Sequence, residues 1–310
     1  MQGRGEPTTK DIILGVTMFV FCFVLVLLGI LNVYIVLKVE TFHNAFGWFW
    51  LTRTGCELIS NIAHIFYTAP VTIFQPRNIP ISVGFGTYFV SAGSVFAGCL
   101  VHLAVSINRF IAVYRPLQYK FIFSKGNCIK IIAISILPVV ISIILHLILP
   151  CNTVAYSPVM YDYTVLSDKS DICTNYIQLT TVLNSFCVGI CIITIIIDLS
   201  TLCKIVHIRM IRKAKKDDKL FLRDIRFFIQ ASLQNVTMAI ATAFITTANN
   251  HYSVEGEVTR LVGFYSVLAA HLCNTLSLIV FNPEVRRRLF SPKISYISRS
   301  PVPFARESKY

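Results

Sequence analysis

Charge is the scarcest commodity in this 310-residue chain: Asp, Glu, Lys and Arg make up 14% of it, against 55% apolar residues. A soluble domain needs about 25% charge to clothe its surface, so a pair of soluble domains, the usual outcome for this length, is excluded. Mean hydropathy is +0.67. Catalytic signatures are missing as well. The chain has no H-E-x-x-H, no G-x-S-x-G and no paired metal-ligand spacing, so neither an enzyme nor a metal or other cofactor is expected. No 20–50 residue repeat and no interdomain linker is visible. The first ten residues are polar, and the apolar run from Ile12 to Leu37 is too long for a signal h-region, so it reads as a retained helix.

What is present is a series of apolar runs. A membrane-spanning helix needs roughly 20 mostly apolar residues, and backbone amides inside lipid must pair within the helix. Seven spans are expected, at about 12–37, 47–74, 83–108, 128–149, 175–203, 227–249 and 260–281. The sixth is the most polar. The fold class expected is all-α, a seven-transmembrane helix bundle in the lipid bilayer.

The net charge of +13 would suggest nucleic acid in a soluble protein. Here the basic residues lie between the spans. With the N-terminus outside, 22 Lys and Arg fall in the cytoplasmic segments, 5 fall outside, and Arg53 lies within a span. That asymmetry predicts an external N-terminus and a cytoplasmic C-terminus, and it requires an odd number of spans. Nucleic acid is not an expected partner.

Of the ten cysteines, only Cys151 and Cys173 lie in an outer loop, where disulfides persist. A bridge between them is favoured over two unpaired thiols and would contribute about 3 kcal/mol by loop closure. The sequon Asn235-Val-Thr237 falls inside the sixth span, out of reach of glycosylation. No cysteine follows Cys273 that could carry a lipid.

Ionisable groups within spans are costly and need partners. Arg53 and Glu57 are four apart on one helical face and can pair. Asp198 reads equally as a conformational switch or as a carboxylate near the inner interface. His102 and His271 read as packing histidines. The segment 209–228 is a basic flank of the inner membrane surface.

The third span runs into Ser106–Tyr119, SINRFIAVYRPLQY. Asn108-Arg109-Phe110 stands where rhodopsin-like G-protein-coupled receptors carry Asp/Glu-Arg-Tyr. Together with Asn32 and Asn282-Pro283, this makes the chain resemble that family. More narrowly it resembles the nematode serpentine receptors of class X, through Phe46-Gly47, Tyr119, Phe123-Ser124, Asp198-x-x-Thr201 and Phe281-Asn282-Pro283-Glu284-Val285-Arg286. The resemblance covers about residues 25–290. It implies a receptor domain over 1–290, with a short amphipathic segment at 283–290 and a disordered tail at 291–310.

The resemblance also implies a chemosensory-type receptor in the plasma membrane, with the sensory cilium as one candidate site. Such a receptor binds an extracellular small molecule and activates a heterotrimeric G protein. Coupling would fall to Asn108, Arg109, Phe110, Arg115 and Pro116. A polar core that holds sodium or water would comprise Asn32, Glu57, Asn282 and Pro283, with Glu57 facing Asn32. Depth alone nominates Phe85, Tyr88, Gln178, Thr181, Thr246 and Tyr265 for the ligand pocket. That pocket reads as uncharged, which favours a neutral ligand.

Several features depart from the family. Gly84 stands where the third span usually has its outer cysteine, so a Cys151–Cys173 bridge would replace the usual one. Asn108 replaces the acid, which weakens the pairing with arginine. Spans five and six have no proline, span four has no tryptophan, and span seven has no lysine for a retinal Schiff base. A transporter or ligand-gated channel is the alternative. It is disfavoured because repeats and Gly/Pro-broken helices are not visible and because an internal N-terminus would reverse the charge rule.

Overall fold

The computed structural model describes residues 3–148, 154–165, 179–212, 219–250 and 257–290. Helix α1, Thr9–Lys38, opens with a capping box: Thr8 accepts from the Asp11 N–H, and the Asp11 carboxylate accepts from the Thr8 N–H. This satisfies two donors that a helix start leaves unpaired. Its buried residues include Asp11, Gly15, Met18, Cys22, Leu25, Gly29, Asn32 and Val36. Steps of three and four place them on one stripe. The opposite face exposes Ile13, Val20, Leu27 and Tyr34. An apolar exterior of that kind suits lipid, not water. At Gly29 a Cβ would lie 2.7 Å from Leu58 Cδ2, so glycine allows the backbones to approach closely.

The second span is interrupted. Helix α2, Ala45–Ala63, passes through a π-helical turn at His64–Thr68 into α3, Ala69–Phe74. Pro70 has no N–H for the Phe66 carbonyl, and the chain widens just before it. The Ala69 N–H reaches back five residues to the His64 carbonyl. Gln75 ends α3 in the left-handed region, with φ 46°.

Helix α4, Ile81–Tyr114, continues six residues past the expected span. It stops at Arg115 because Pro116 follows and disfavours helical backbone in the residue before it. Pro116 then starts α5, Pro116–Ile122, from its first position. Helix α6 is Lys125–Ile148, with Pro138 inside it. A hairpin follows where the sequence suggested only a loop. Strands β1, Val154–Ser157, and β2, Asp162–Val165, pair antiparallel with Ser157 opposite Asp162. Four-residue strands are too short for periodicity to reveal.

Helices α7, Leu179–Arg212, α8, Lys219–Asn250, and α9, Glu257–Phe281, complete the seven-helix bundle, and α10, Pro283–Phe290, follows. Six helices among the described residues are long and apolar enough to span a membrane by length and composition. The seventh is the interrupted α2–α3, whose buried polar stripe lowers its hydropathy. The hairpin lies at the end of the bundle where α1 begins. The opposite end carries Arg109, α5 and α10. Residues 291–310, the expected tail, lie outside the described residues, as do Cys151 and Cys173.

Candidate functional site

One face of the second span carries polar groups along its whole length. Arg53, Glu57, Ser60, Asn61, His64, Thr68, Thr72 and Gln75 are all buried. Their spacing of three and four residues is the helical period, so they share one face. Each must find a partner inside the bundle.

At the hairpin end these partners come from α1 and the hairpin. The Tyr156 and Thr72 hydroxyls lie 2.6 Å apart, and the Tyr163 and Thr68 hydroxyls lie 3.4 Å apart. Gln75 Nε2 donates to Asp11 Oδ1 at 3.0 Å and to the Pro158 carbonyl at 2.9 Å. Asp11 also accepts from Tyr161 and Arg4. This buried carboxylate therefore joins the N-terminal segment, the end of α3 and the hairpin turn.

Beneath the hairpin is a cavity of about 140 Å³. Its walls include Tyr88, Phe89 and Phe96 of α4, His146 of α6, Tyr163 of β2 and Phe264 of α9. Deeper in, His64 Nδ1 meets Thr68 Oγ1 at 3.1 Å and His64 Nε2 meets Ser91 Oγ at 3.1 Å. Asp162 and Arg260 also line the cavity, so its wall is charged, contrary to the uncharged pocket expected. Burial raises the Asp162 carboxyl to about 7, while the nearby Arg260 charge acts in the other direction.

At mid-bundle Arg53 and Glu57 pair at 3.2 Å. Glu57 also accepts from Asn274 Nδ2 at 2.7 Å. Arg53 donates to His102 Nδ1 at 2.7 Å and to Gln234 Oε1 at 3.3 Å. His102 bonds onward to Asn235, and Asn235 donates to Asp198. Gln234 donates to Ser277 Oγ at 2.5 Å. The network thus joins α2, α4, α7, α8 and α9. The Asp198 carboxylate lies within the electrostatic reach of Arg109.

The expected polar core is arranged differently from the sequence reading. Glu57 is bonded to Arg53 and Asn274, whereas Asn32 donates to the Thr275 carbonyl at 3.0 Å. They meet adjacent residues of α9 instead of each other. The Asn282 Oδ1 accepts from the Val285 N–H at 3.3 Å and so caps α10. Pro283 is the first residue of α10.

At the opposite end Asn108 Nδ2 donates to the Tyr119 hydroxyl at 3.1 Å, and Arg109 lies over the Phe46 ring at 5.3 Å. Phe110 stacks on Tyr114 at 4.2 Å. Arg115 donates to Gln118 at 3.2 Å, and Pro116 is exposed. Leu117 and Phe121 of α5 are 96% and 83% exposed, an apolar surface beyond the end of the third span.

Among the six residues nominated by depth, Tyr88 lines the cavity. Phe85 packs edge-on against Phe89 at 4.3 Å. Thr246 donates to the Thr242 carbonyl and Tyr265 to the Leu14 carbonyl. The cavity walls at these depths are instead Thr180, Ile245 and Phe264, each one residue before Thr181, Thr246 and Tyr265. Gln178 lies outside the described residues. Sequence reasoning missed His64, His146, Gln234 and Asn274. Helical spacing of polar residues from Arg53 to Gln75 was the signal that could have revealed His64.

Over residues 19–282 the chain matches the family described as the serpentine type 7TM GPCR chemoreceptor Srx. Mouse (Mus musculus) olfactory receptor 2B6 is 25% identical over 121 residues, which cover 38% of this chain and 38% of that receptor. The match therefore spans well under half the length of that relative. Squid rhodopsin superposes with a TM-score of 0.67 at 12% identity, covering 92% of this chain and 86% of its own. That likeness is one of fold.

Proposed function

Since the chain belongs to the serpentine seven-transmembrane chemoreceptor family Srx, we propose that it binds a small molecule at the hairpin end and activates a heterotrimeric G protein at the other. The hairpin end and N-terminus face outward, and α5, α10 and the C-terminus face the cytoplasm. The basic residues support this orientation, with 22 on the inner side and 5 on the outer. The receptor resides in the plasma membrane, with the sensory cilium as a candidate location.

One observation carries the reading. The buried polar face of the second span extends from the hairpin and cavity to Arg53. From there hydrogen bonds continue through His102 and Asn235 to Asp198, within reach of Arg109. A ligand that shifts the cavity walls, His64 among them, would therefore perturb one helix face whose other end, at Arg53, begins the bonds that lead to Asp198. Arg109, Phe110, Arg115 and Pro116 form the coupling surface together with the exposed apolar side chains of α5, and the buried Asn108 lies behind them. The coupling is a two-state proposal and requires that ligand and G protein prefer the same arrangement.

The test is guanine-nucleotide exchange on a panel of G proteins with the protein in membranes, with and without a mixed odorant and metabolite panel. Exchange above background that disappears in Arg109→Ala is the expected result. Exchange unaffected by Arg109→Ala would place coupling elsewhere, and solute or ion flux without any exchange would favour a transporter or channel.

A further inference from the structure

His146 lines the cavity and is 3% exposed. Its ring is held between Tyr88, at 5.7 Å, and Phe89, at 5.5 Å. The two ring nitrogens are not equivalent. Nδ1 lies 2.8 Å from the Ser142 carbonyl oxygen. A carbonyl only accepts, so Nδ1 carries the proton and Nε2 of the neutral ring presents a lone pair. Nε2 is buried and has no hydrogen-bond partner among the described residues. A buried acceptor of that kind is unfavourable until a donor reaches it.

The cavity supplies the size and character of that donor's carrier. At about 140 Å³ it is close to an engineered cavity of about 150 Å³ that holds benzene. A single aromatic ring fits that volume. Tyr88, Phe89, Phe96, Tyr163 and Phe264 in the wall suit edge-on or offset contact with an aromatic ring. The two charged residues of the wall, Asp162 and Arg260, are of opposite sign and act on each other. Neither therefore calls for a charged ligand.

We propose that the cavity takes a small neutral aromatic alcohol, with its single ring among the aromatic side chains and its hydroxyl donating to His146 Nε2. The proposal rests on the receptor reading only in treating this cavity as the ligand site.

The experiment compares 4-fluorophenol with 4-fluorotoluene, which has a methyl in place of the hydroxyl. Binding to the full chain in lipid nanodiscs is followed by fluorine NMR, and partition into empty nanodiscs is subtracted. The phenol should bind saturably and at least about ten-fold tighter, equivalent to about 1.4 kcal/mol. His146→Phe should bring the two affinities to within about two-fold by removing the acceptor, while His146→Gln, which keeps an acceptor, should retain much of the preference. Equal affinities in the unaltered protein, no saturable binding, or a full preference surviving in His146→Phe would each overturn the proposal. Equal affinities in the unaltered protein overturn the proposal even if His146→Phe does not fold, and His146→Leu then serves as the second variant without an acceptor. No G protein is present, so a failure of nucleotide exchange leaves this result standing. Exchange without phenol binding would overturn the ligand class alone.

Discussion

The Arg53 guanidinium donates to His102 Nδ1 at 2.7 Å, and this contact sets the direction of every bond that follows. A guanidinium cannot accept. Nδ1 must therefore be the accepting nitrogen, Nε2 carries the proton, and it donates to the Asn235 side-chain oxygen. The Asn235 amide then donates to Asp198. Four side chains on four helices share one consistent polarity that starts at a cation and ends at a carboxylate.

Asn235 is the neutral link in that series, and nothing else in the contacts described joins His102 to Asp198. Asn235→Leu should leave one donor and one charged acceptor without this bond. The expected cost is about 1–3 kcal/mol, read as a lower midpoint of thermal unfolding for the purified receptor. A midpoint equal to that of the unaltered protein would show that water replaces the amide.

Arg53 and Glu57 are 2% and 7% exposed, so each depends on the other. Arg53→Met alone strands a buried carboxylate and should cost about 3–5 kcal/mol, whereas Arg53→Met with Glu57→Met should recover most of that loss. A double-mutant cycle on the folded fraction measures the difference. Additive losses would mean that the pair is not coupled.

Asn108 donates to the Tyr119 hydroxyl and leaves Arg109 without an adjacent carboxylate on its own helix. In Asn108→Asp the hydroxyl would donate to the carboxylate, and the new charge would hold the neighbouring arginine more firmly. Basal nucleotide exchange should fall by roughly two-fold or more, as expected for a charge-assisted contact in the resting state. Unchanged basal exchange would sink the idea that asparagine here weakens a resting-state lock.

Asp162 lies outside the spans, and burial holds its carboxyl at about 7 compared with an ordinary value of 3.8. A carboxyl raised in the folded state contributes its full stability below about pH 4, and that contribution is lost as pH rises through about 7. The thermal midpoint should therefore fall over that interval and then level off. Asp162→Asn cannot ionise and should flatten the slope in the same interval. An identical slope in the variant would assign the pH dependence to another group.

The spans, their number and the charge asymmetry between their ends were legible in the sequence because the bilayer acts on length and composition directly. A 30 Å apolar slab demands long apolar helices, whatever their partners. The positions of the cavity-wall residues were legible in depth but not in direction. Depth follows from a rise of about 1.5 Å per residue. The direction in which each side chain points turns by about 100° per residue and is set by neighbouring helices. Thr181, Thr246 and Tyr265 therefore have the right depth, yet the cavity is walled by Thr180, Ile245 and Phe264.

The interrupted second helix is a similar case. Pro70 lies inside the expected second span, yet no broken helix was expected there, because a π-helical turn before it becomes favourable only when the side chains it realigns find partners, as His64 and Thr68 do. The sequence by itself determined that this chain crosses a membrane as a helix bundle and that its basic ends gather on one side. Only the tertiary structure decided which buried polar groups meet, because partners such as Glu57 and Asn274 are 217 residues apart and no local pattern links them. It likewise decided that one His146 nitrogen has no partner among the described residues, which depends on what the rest of the bundle brings near that ring.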